Sequence, residues 1–334
     1  MPRTPVHRSP NHRLRERIAA CGLSYDGVAR AVVRIAAENG EALGTNKSAV
    51  AHWVAGVEPS ERTAVYLAEA LSRRAGRPVT LTQLGLAVGS EPELVGTQPI
   101  ETATLLGRAD IEHRGFLATA VYTASDVTML LDYDHEPVSR LLRARTGQGR
   151  VGAEEVAVVR QITKAFAAAD EVLGGGHGLS TVAAYLADTT APMLYGRFAN
   201  DKTRRAAFGA AAELSWLLGW KHHDLGQEGG AQRYYLLGFQ LAVEADPHAH
   251  AAWMMRAVAH QALSLKQRRH CLDLVQGALE RAEGYADGAT EALLHITHAR
   301  AYAALGEKPQ AARACWPPRT PSDETANHNP HTPC

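Results

Sequence analysis

The chain has 334 residues, enough for two or three domains at the usual ~100–200 residues each. Lys plus Arg and Asp plus Glu number 35 each, so the formal charge is zero and a wholly basic coat for nucleic acid is excluded. Hydrophobic residues make up 46 %, enough for real cores, yet no apolar run reaches the ~18–20 residues of a membrane helix.

About one residue in six is alanine, the best helix former, so the expected fold class is all-α. The opening stretch MPRTPVHRSPNHR lacks the apolar core of a signal peptide. A cytoplasmic location with no membrane partner is expected. The cysteines at 21, 271, 315 and 334 are scattered and form no CxxC pair, so neither structural zinc nor a disulfide framework is expected. Charge is uneven along the chain. Residues 1–80 carry a net +5 and residues 81–334 a net −5. Contact with a polyanion is therefore expected at one end only.

Residues 1–10 read as a flexible, Pro-rich arm, and 11–89 as the first domain. Asn11 to Ala20 has helical spacing, with Leu14 and Ile18 on one face and Gly22 as the stop. Ser24 suits the N-cap of a second helix, in which Val28, Val32 and Ile35 recur on one face until Asn39-Gly40. Next comes TNKSAVAHWVAGVEPS. Thr45 suits the cap of a short helix that buries Val50, Trp53 and Val54 and turns Asn46, Lys47, Ala49 and His52 outward. Gly56 ends it. Glu58-Pro59-Ser60 opens a fourth helix facing inward through Ala64, Leu67, Ala68 and Leu71, and Pro78 to Gly85 opens a fifth.

Ser24 and Ala29, followed by Val50, Trp53, Gly56 and Pro59, resemble the Cro/CI-type (XRE) helix-turn-helix domain and its I-x-x-W-x-x-G-x-x-P tail. The string from Ala51 to Gly85 is similar to actinobacterial regulators of that class. Ala29 and Trp53 lie 24 residues apart, about twice the compact family spacing, through a longer second helix and a connector at Glu41–Gly44. The resemblance implies a double-stranded operator as partner and control of development or secondary metabolism. It implies DNA contact by Ser24, Thr45, Asn46, Lys47, Ser48, Ala49 and His52. Short polar side chains at a helix N-terminus suit base edges and phosphates. A homodimer is expected, because two half-sites need two modules.

Residues 90–101 read as a linker and 102–205 as a helical middle region. Helical segments are expected near 106–121, 125–145, 152–173 and 178–196, and Phe116 to Ala120 leaves a short strand open. Gly174 to Gly178 lacks the Gly-Lys-Ser/Thr ending of a phosphate loop and reads as a joint. Asp132 to Glu136 is acidic and reads as a solvated end. Residues 206–315 repeat helical hairpins, with turns at Leu225-Gly226, Leu263-Ser264 and Leu305-Gly306. These resemble the tetratricopeptide (TPR) family, which implies a superhelical body with a concave face. Trp216, Trp220, Tyr234, Tyr235, Trp253 and Met254 are candidates to line a groove for a small-molecule, peptide or protein effector. The many histidines from His222 to His298 read as solvated, since His295 and His298 lack the further ligands of a metal site. No nucleophile and base stand in a catalytic pattern, so neither an enzyme nor a cofactor is expected. Residues 316–334 read as a Pro-rich disordered tail. The alternative to a regulator is a TPR-type adaptor whose first domain binds protein.

Overall fold

The computed structural model describes residues 9–77, 79–86, 98–111, 122–123, 150–173 and 176–315. The expectations for the arm before Ser9, for Phe116–Ala120, Asp132–Glu136 and the 125–145 helix, and for the tail after Cys315 lie outside these residues. The fold is all-α. Among the described residues, β structure is one parallel pair of two-residue strands, β1 (Arg150–Val151) and β2 (Arg197–Phe198). No described helix is long and apolar enough to cross a membrane.

The first module holds α1 (His12–Ala20), α2 (Tyr25–Glu38), α3 (Lys47–Val54) and α4 (Glu61–Ala75). Each begins on a side-chain cap that satisfies an otherwise orphan N–H. Asn11, Ser24 and Ser60 cap α1, α2 and α4. The cap of α3 is Asn46, whose Oδ1 accepts from Ala49 N at 3.0 Å; the expected Thr45 lies one residue outside. Asn at this position supplies a better acceptor than the preceding Thr, and its backbone is extended as a cap requires. The segment expected as a fifth helix is a single turn over residues 81–85, which buries Leu84 and Leu86. Asn11 Nδ2 donates to Leu84 O at 2.9 Å and so ties the start of the module to its end. One core joins Leu14, Ile18, Val28, Val32, Ile35, Val50, Trp53, Leu67 and Leu71.

The rest of the described chain is a second core. Its leading elements are α5 (Pro99–Ile111), α6 (Ala153–Leu173) and α7 (Leu179–Ala184), the last running on through a π-helical stretch, Tyr185–Thr190. α5 begins inside the stretch read as linker. Three hairpins follow: α8 (Asp201–Asp224) with α9 (Glu228–Ala245), α10 (Ala249–Ser264) with α11 (Arg268–Ala282), and α12 (Gly288–Leu305) with α13 (Lys308–Cys315). Each helix packs on the next, and alternate helices α8, α10 and α12 also touch. The turns fall at Gly226 and Gly306, as expected, while the middle turn is centred on Lys266 (φ 60°), just past Leu263-Ser264.

Small residues set the hairpin spacing. A Cβ on Gly219 would stand 2.5 Å from the Tyr235 ring, and one on Gly238 would strike the Met254 methyl. Tyr234, Tyr235 and Met254 are thereby sunk in the core, at 0 %, 2 % and 0 % exposure. Polar groups lock the leading helices to the hairpins. Asp110 on α5 accepts from Tyr234 Oη at 2.6 Å and from His222 Nε2 at 3.0 Å. Lys221 Nζ pairs with Asp170 of α6 at 2.6 Å and donates to His177 O.

Among the described residues, hydrogen bonds join module and body near Asn39 and near Arg73. Asn39, at the end of α2, accepts from Tyr122 N at 3.4 Å, and the adjoining Thr123 backbone is held at both N and O by Gln232 of α9. Arg73 of α4 pairs with Glu38 and Glu69, each at 2.6 Å. With its oxygen turned to the guanidinium, the Gln267 amide at the start of α11 accepts from Arg73 Nη1 at 2.7 Å.

Two substitutions check this packing by denaturant unfolding. Trp53→Ala should cost about 3–5 kcal/mol, as truncation of a buried aromatic does. Gly219→Ala should destabilise by about 1–3 kcal/mol despite alanine's better helix propensity, because the Tyr235 ring has no room to yield. An unchanged midpoint for either would contradict the assigned contacts.

Candidate nucleic-acid interface and an aromatic face on the body

α3 divides cleanly between buried and exposed residues. Val50, Trp53 and Val54 are buried, with α3 packed on α1 and α2, and Asn46, Lys47, Ser48 and His52 are exposed. The spacing accounts for Ser48 and His52, which fall opposite 50, 53 and 54 on a 3.6-residue period, whereas Lys47 shares the side of Val54 and is exposed at the first residue of the helix. Asn46 spends its carbonyl oxygen on the cap, which leaves its amide N–H groups to face outward. Ala49 is half-buried on the module core and presents little to a partner. Thr45 is half-buried, and Ser24 is exposed with its hydroxyl accepting from Gly27 N at 3.1 Å.

The connector before α3 is tied down. Glu41 forms an ion pair with Arg62 of α4, and Tyr66 Oη donates to Glu41 Oε2 at 2.9 Å. Burial and this carboxylate push the Tyr66 hydroxyl up to about 12, so it stays a donor at neutral pH. A recess of about 380 Å³ opens beside α3 between Asn11, Arg13, Trp53, Glu58 and Leu86.

The body carries a second constellation. Trp216 and Trp220 on α8 stack at 6.0 Å between ring centroids, and Trp216 lies 5.4 Å from Trp253 on α10. His260 of α10 sits 5.9 Å from Trp220 and 6.1 Å from His223, and His250 lies 6.2 Å from Trp253. Arg256 lies over the Trp253 ring at 5.6 Å, a cation–π contact. Arg300 of α12 reaches to 3.5 Å from His260 Nδ1. Arg160 of α6 pairs with Glu213 of α8 at 3.5 Å. The three indoles are half-buried and lie together, with Trp216 and Trp253 packed on the edge of the body core. Tyr234 and Tyr235, expected on the same groove, belong to the core instead. They follow the inward period of α9, and Gly219 on α8 leaves room for the Tyr235 ring.

His223, His250, His260 and Arg300 join this face without having been singled out in the sequence. The readable signal was spacing: Trp216 to His223 and Trp253 to His260 are both seven residues apart, two turns on one helix face. The expected solvated histidines are a further correction. His222 is buried, and His223, His248, His250, His260, His270, His295 and His298 are all half-buried. Among the described residues, no three His, Cys, Asp or Glu side chains converge as metal ligands. Cys21 and Cys271 are buried and free, and Cys315 is exposed and free.

Burial pushes the His260 ring below the usual histidine range, helped by Arg300, His223 and Arg256. Burial likewise lowers His250, His270 and His298. His223 moves the other way because it hydrogen-bonds Glu228. A ring with a depressed value is protonated more readily in the unfolded chain, so stability is lost as pH falls from the unfolded value of about 6.5. The unfolding midpoint should therefore drop between about pH 7 and 5, and His260→Gln should make that drop shallower. Parallel curves for the two proteins would contradict the assigned environment.

Residues 14–87 match the family model described as the SP15 N-terminal domain. The match coincides with the first module, whose core runs from Leu14 to Leu86, and covers less than half of the chain. No curated protein and no solved structure matches the chain.

Proposed function

We propose that the protein is a sequence-specific DNA-binding transcriptional regulator. α3 enters the major groove, and the helical body serves dimerisation and signal sensing. The observation that carries this reading is α3 itself: a short helix held by a buried Val50-Trp53-Val54 face, with Asn46, Lys47, Ser48 and His52 projecting from its N-terminal turn and outer face. Amide and ammonium donors at that position suit the acceptor edges of bases, and the free N–H groups of the first turn favour phosphate. The local excess of positive charge in residues 1–80 supports it, as does the resemblance of the module to XRE helix-turn-helix domains. Dimerisation follows from the need to place two such helices on two half-sites. The contacts from Asn39 to Tyr122 and from Arg73 toward Gln267 offer a route by which a change in the body reaches the module.

The alternative is an adaptor whose module binds protein. The exposed face of α3 carries no large apolar side chain to anchor such a partner, and the +5 charge also favours a polyanion.

Selection of fragments from a genomic DNA library by the purified full chain should return one sequence class. Lys47→Ala should weaken binding to the selected site while leaving the unfolding midpoint in place. Asn46→Ala also removes a cap worth about 0.5–2 kcal/mol, so Asn46→Asp, which keeps the cap oxygen and loses the amide donors, is the cleaner variant. If both variants bind the site like the parent, the assignment of α3 fails. Sedimentation of the full chain at tens of micromolar should give a dimer, and a monomer would contradict the two-half-site model.

A further inference from the structure

The recess beside α3 collects hydrogen-bond donors that the fold itself leaves unused. Trp53 forms one of its walls and is 7 % exposed, so the residue is more than nine-tenths buried. A buried indole usually finds an acceptor for its N–H. Among the described residues nothing accepts from Trp53 Nε1, yet that atom is not sealed inside the core. The start of α1 opens on the same recess through Pro10, Asn11, His12 and Arg13. Asn11 Oδ1 accepts from Leu14 N, and His12 N donates to Pro10 O at 3.1 Å. Arg13 N has no acceptor among the described residues, and the helix end adds partial positive charge to it. The Arg13 side chain makes one hydrogen bond, from Nη1 to Thr82 O at 3.3 Å, and its other N–H groups engage nothing else among the described residues.

Net charge does not choose the ligand, since Glu58 stands on the rim opposite Arg13 and His12, and Glu16 lies one turn further along α1. The donors choose it. An indole N–H, a guanidinium and a helix-terminal N–H converge from two helices. A tetrahedral phosphate has oxygens enough to accept from all three at once, whereas a planar carboxylate offers two. The recess, at about 380 Å³, is larger than one phosphate and has room for the group that carries it. Glu58 repels a second anion there but accepts from hydroxyls. We infer that the recess is a phosphate site, which holds the phosphate of a small hydroxylated ester, or one of a DNA backbone, on the Trp53 N–H, the Arg13 guanidinium and the first turn of α1. It uses the buried side of α3, not the exposed polar face, and so stands apart from the reading of α3 as a groove-binding helix.

The test follows the indole N–H signals of the full chain by NMR, with isotope label at the tryptophan nitrogens. Trp53→Phe identifies the Trp53 signal by its loss. Inorganic phosphate and glycerol phosphate are titrated in separate arms without DNA, at ionic strength held constant with sodium chloride. A third arm adds duplex DNA. In the phosphate arms the Trp53 signal should move downfield and saturate, while those of Trp216, Trp220 and Trp253 stay in place. Arg13→Gln should raise the midpoint roughly tenfold, as loss of a charge-assisted hydrogen bond does, and Arg13→Lys should restore part of the affinity. Unmoved body signals in each variant show that the chain is folded. A Trp53 signal fixed in all three arms would overturn the inference. So would equal movement with acetate or with chloride alone, or a midpoint unchanged by Arg13→Gln. Tighter saturation by glycerol phosphate than by phosphate assigns the site to a small ester. Movement with duplex alone keeps the phosphate chemistry and assigns it to the DNA backbone. The phosphate arms contain no DNA, so their failure leaves the proposal for α3 standing.

Discussion

The presentation of α3 depends on the Glu41 carboxylate. The connector between α2 and α3 is longer than a compact two-helix unit needs, and a loose connector would let α3 tilt. Glu41 prevents this by accepting from Tyr66 and pairing with Arg62, both on α4. α3 is thereby held from two sides: its apolar face by Val50, Trp53 and Val54, and its N-terminal approach by α4. The same α4 carries Arg73, which engages Glu38 at the end of α2 and faces the body at Gln267. One helix thus sets both the attitude of the candidate recognition surface and the attachment of the module.

In the body, glycine and alanine at the hairpin seams do comparable work. Because α8 and α9 approach closely at Gly219, the Tyr235 ring is captured inside the seam. Trp216, Trp220 and Trp253 lie on the outer period of α8 and α10 and form one half-buried aromatic cluster at the edge of that core. The buried ties of Asp110 to His222 and Tyr234, and of Lys221 to Asp170, anchor the leading helices to the hairpins. A buried charge without its partner is costly, so these pairs fix how the elements dock more than they add to net stability. The strap at Tyr122-Thr123 then links Gln232 of α9 to Asn39 of the module.

Much of this was legible in the sequence, for physical reasons. Caps and left-handed glycines are local signals, and Ser24, Ser60, Gly22, Gly56 and Gly306 all act where their residue types suggest. Helical period identified the buried side of α3. Period alone failed where the neighbour decides the outcome. Thr45 and Asn46 are both cap residues, and the stronger amide acceptor together with its extended backbone selects Asn46. Tyr234 and Tyr235 look like groove residues until Gly219 is seen to make space for the Tyr235 ring and Asp110 to accept from the Tyr234 hydroxyl. The polar ties between Asp110 and His222, or between Asp170 and Lys221, join residues more than fifty positions apart and leave no local trace. The histidines were misjudged because their burial comes from stacked hairpins rather than from their own helix.

The central claim is that the module meets a polyanion through α3. The dependence of duplex-DNA affinity on salt tests it most directly, because each phosphate neutralised by a protein cation releases counterions. For the full chain, the logarithm of the binding constant should fall linearly with the logarithm of salt concentration, with a slope of several units. Lys47→Ala should make that slope shallower by about one unit if its ammonium meets phosphate. A nearly flat dependence for the unmodified chain would contradict the account and favour a module that binds protein.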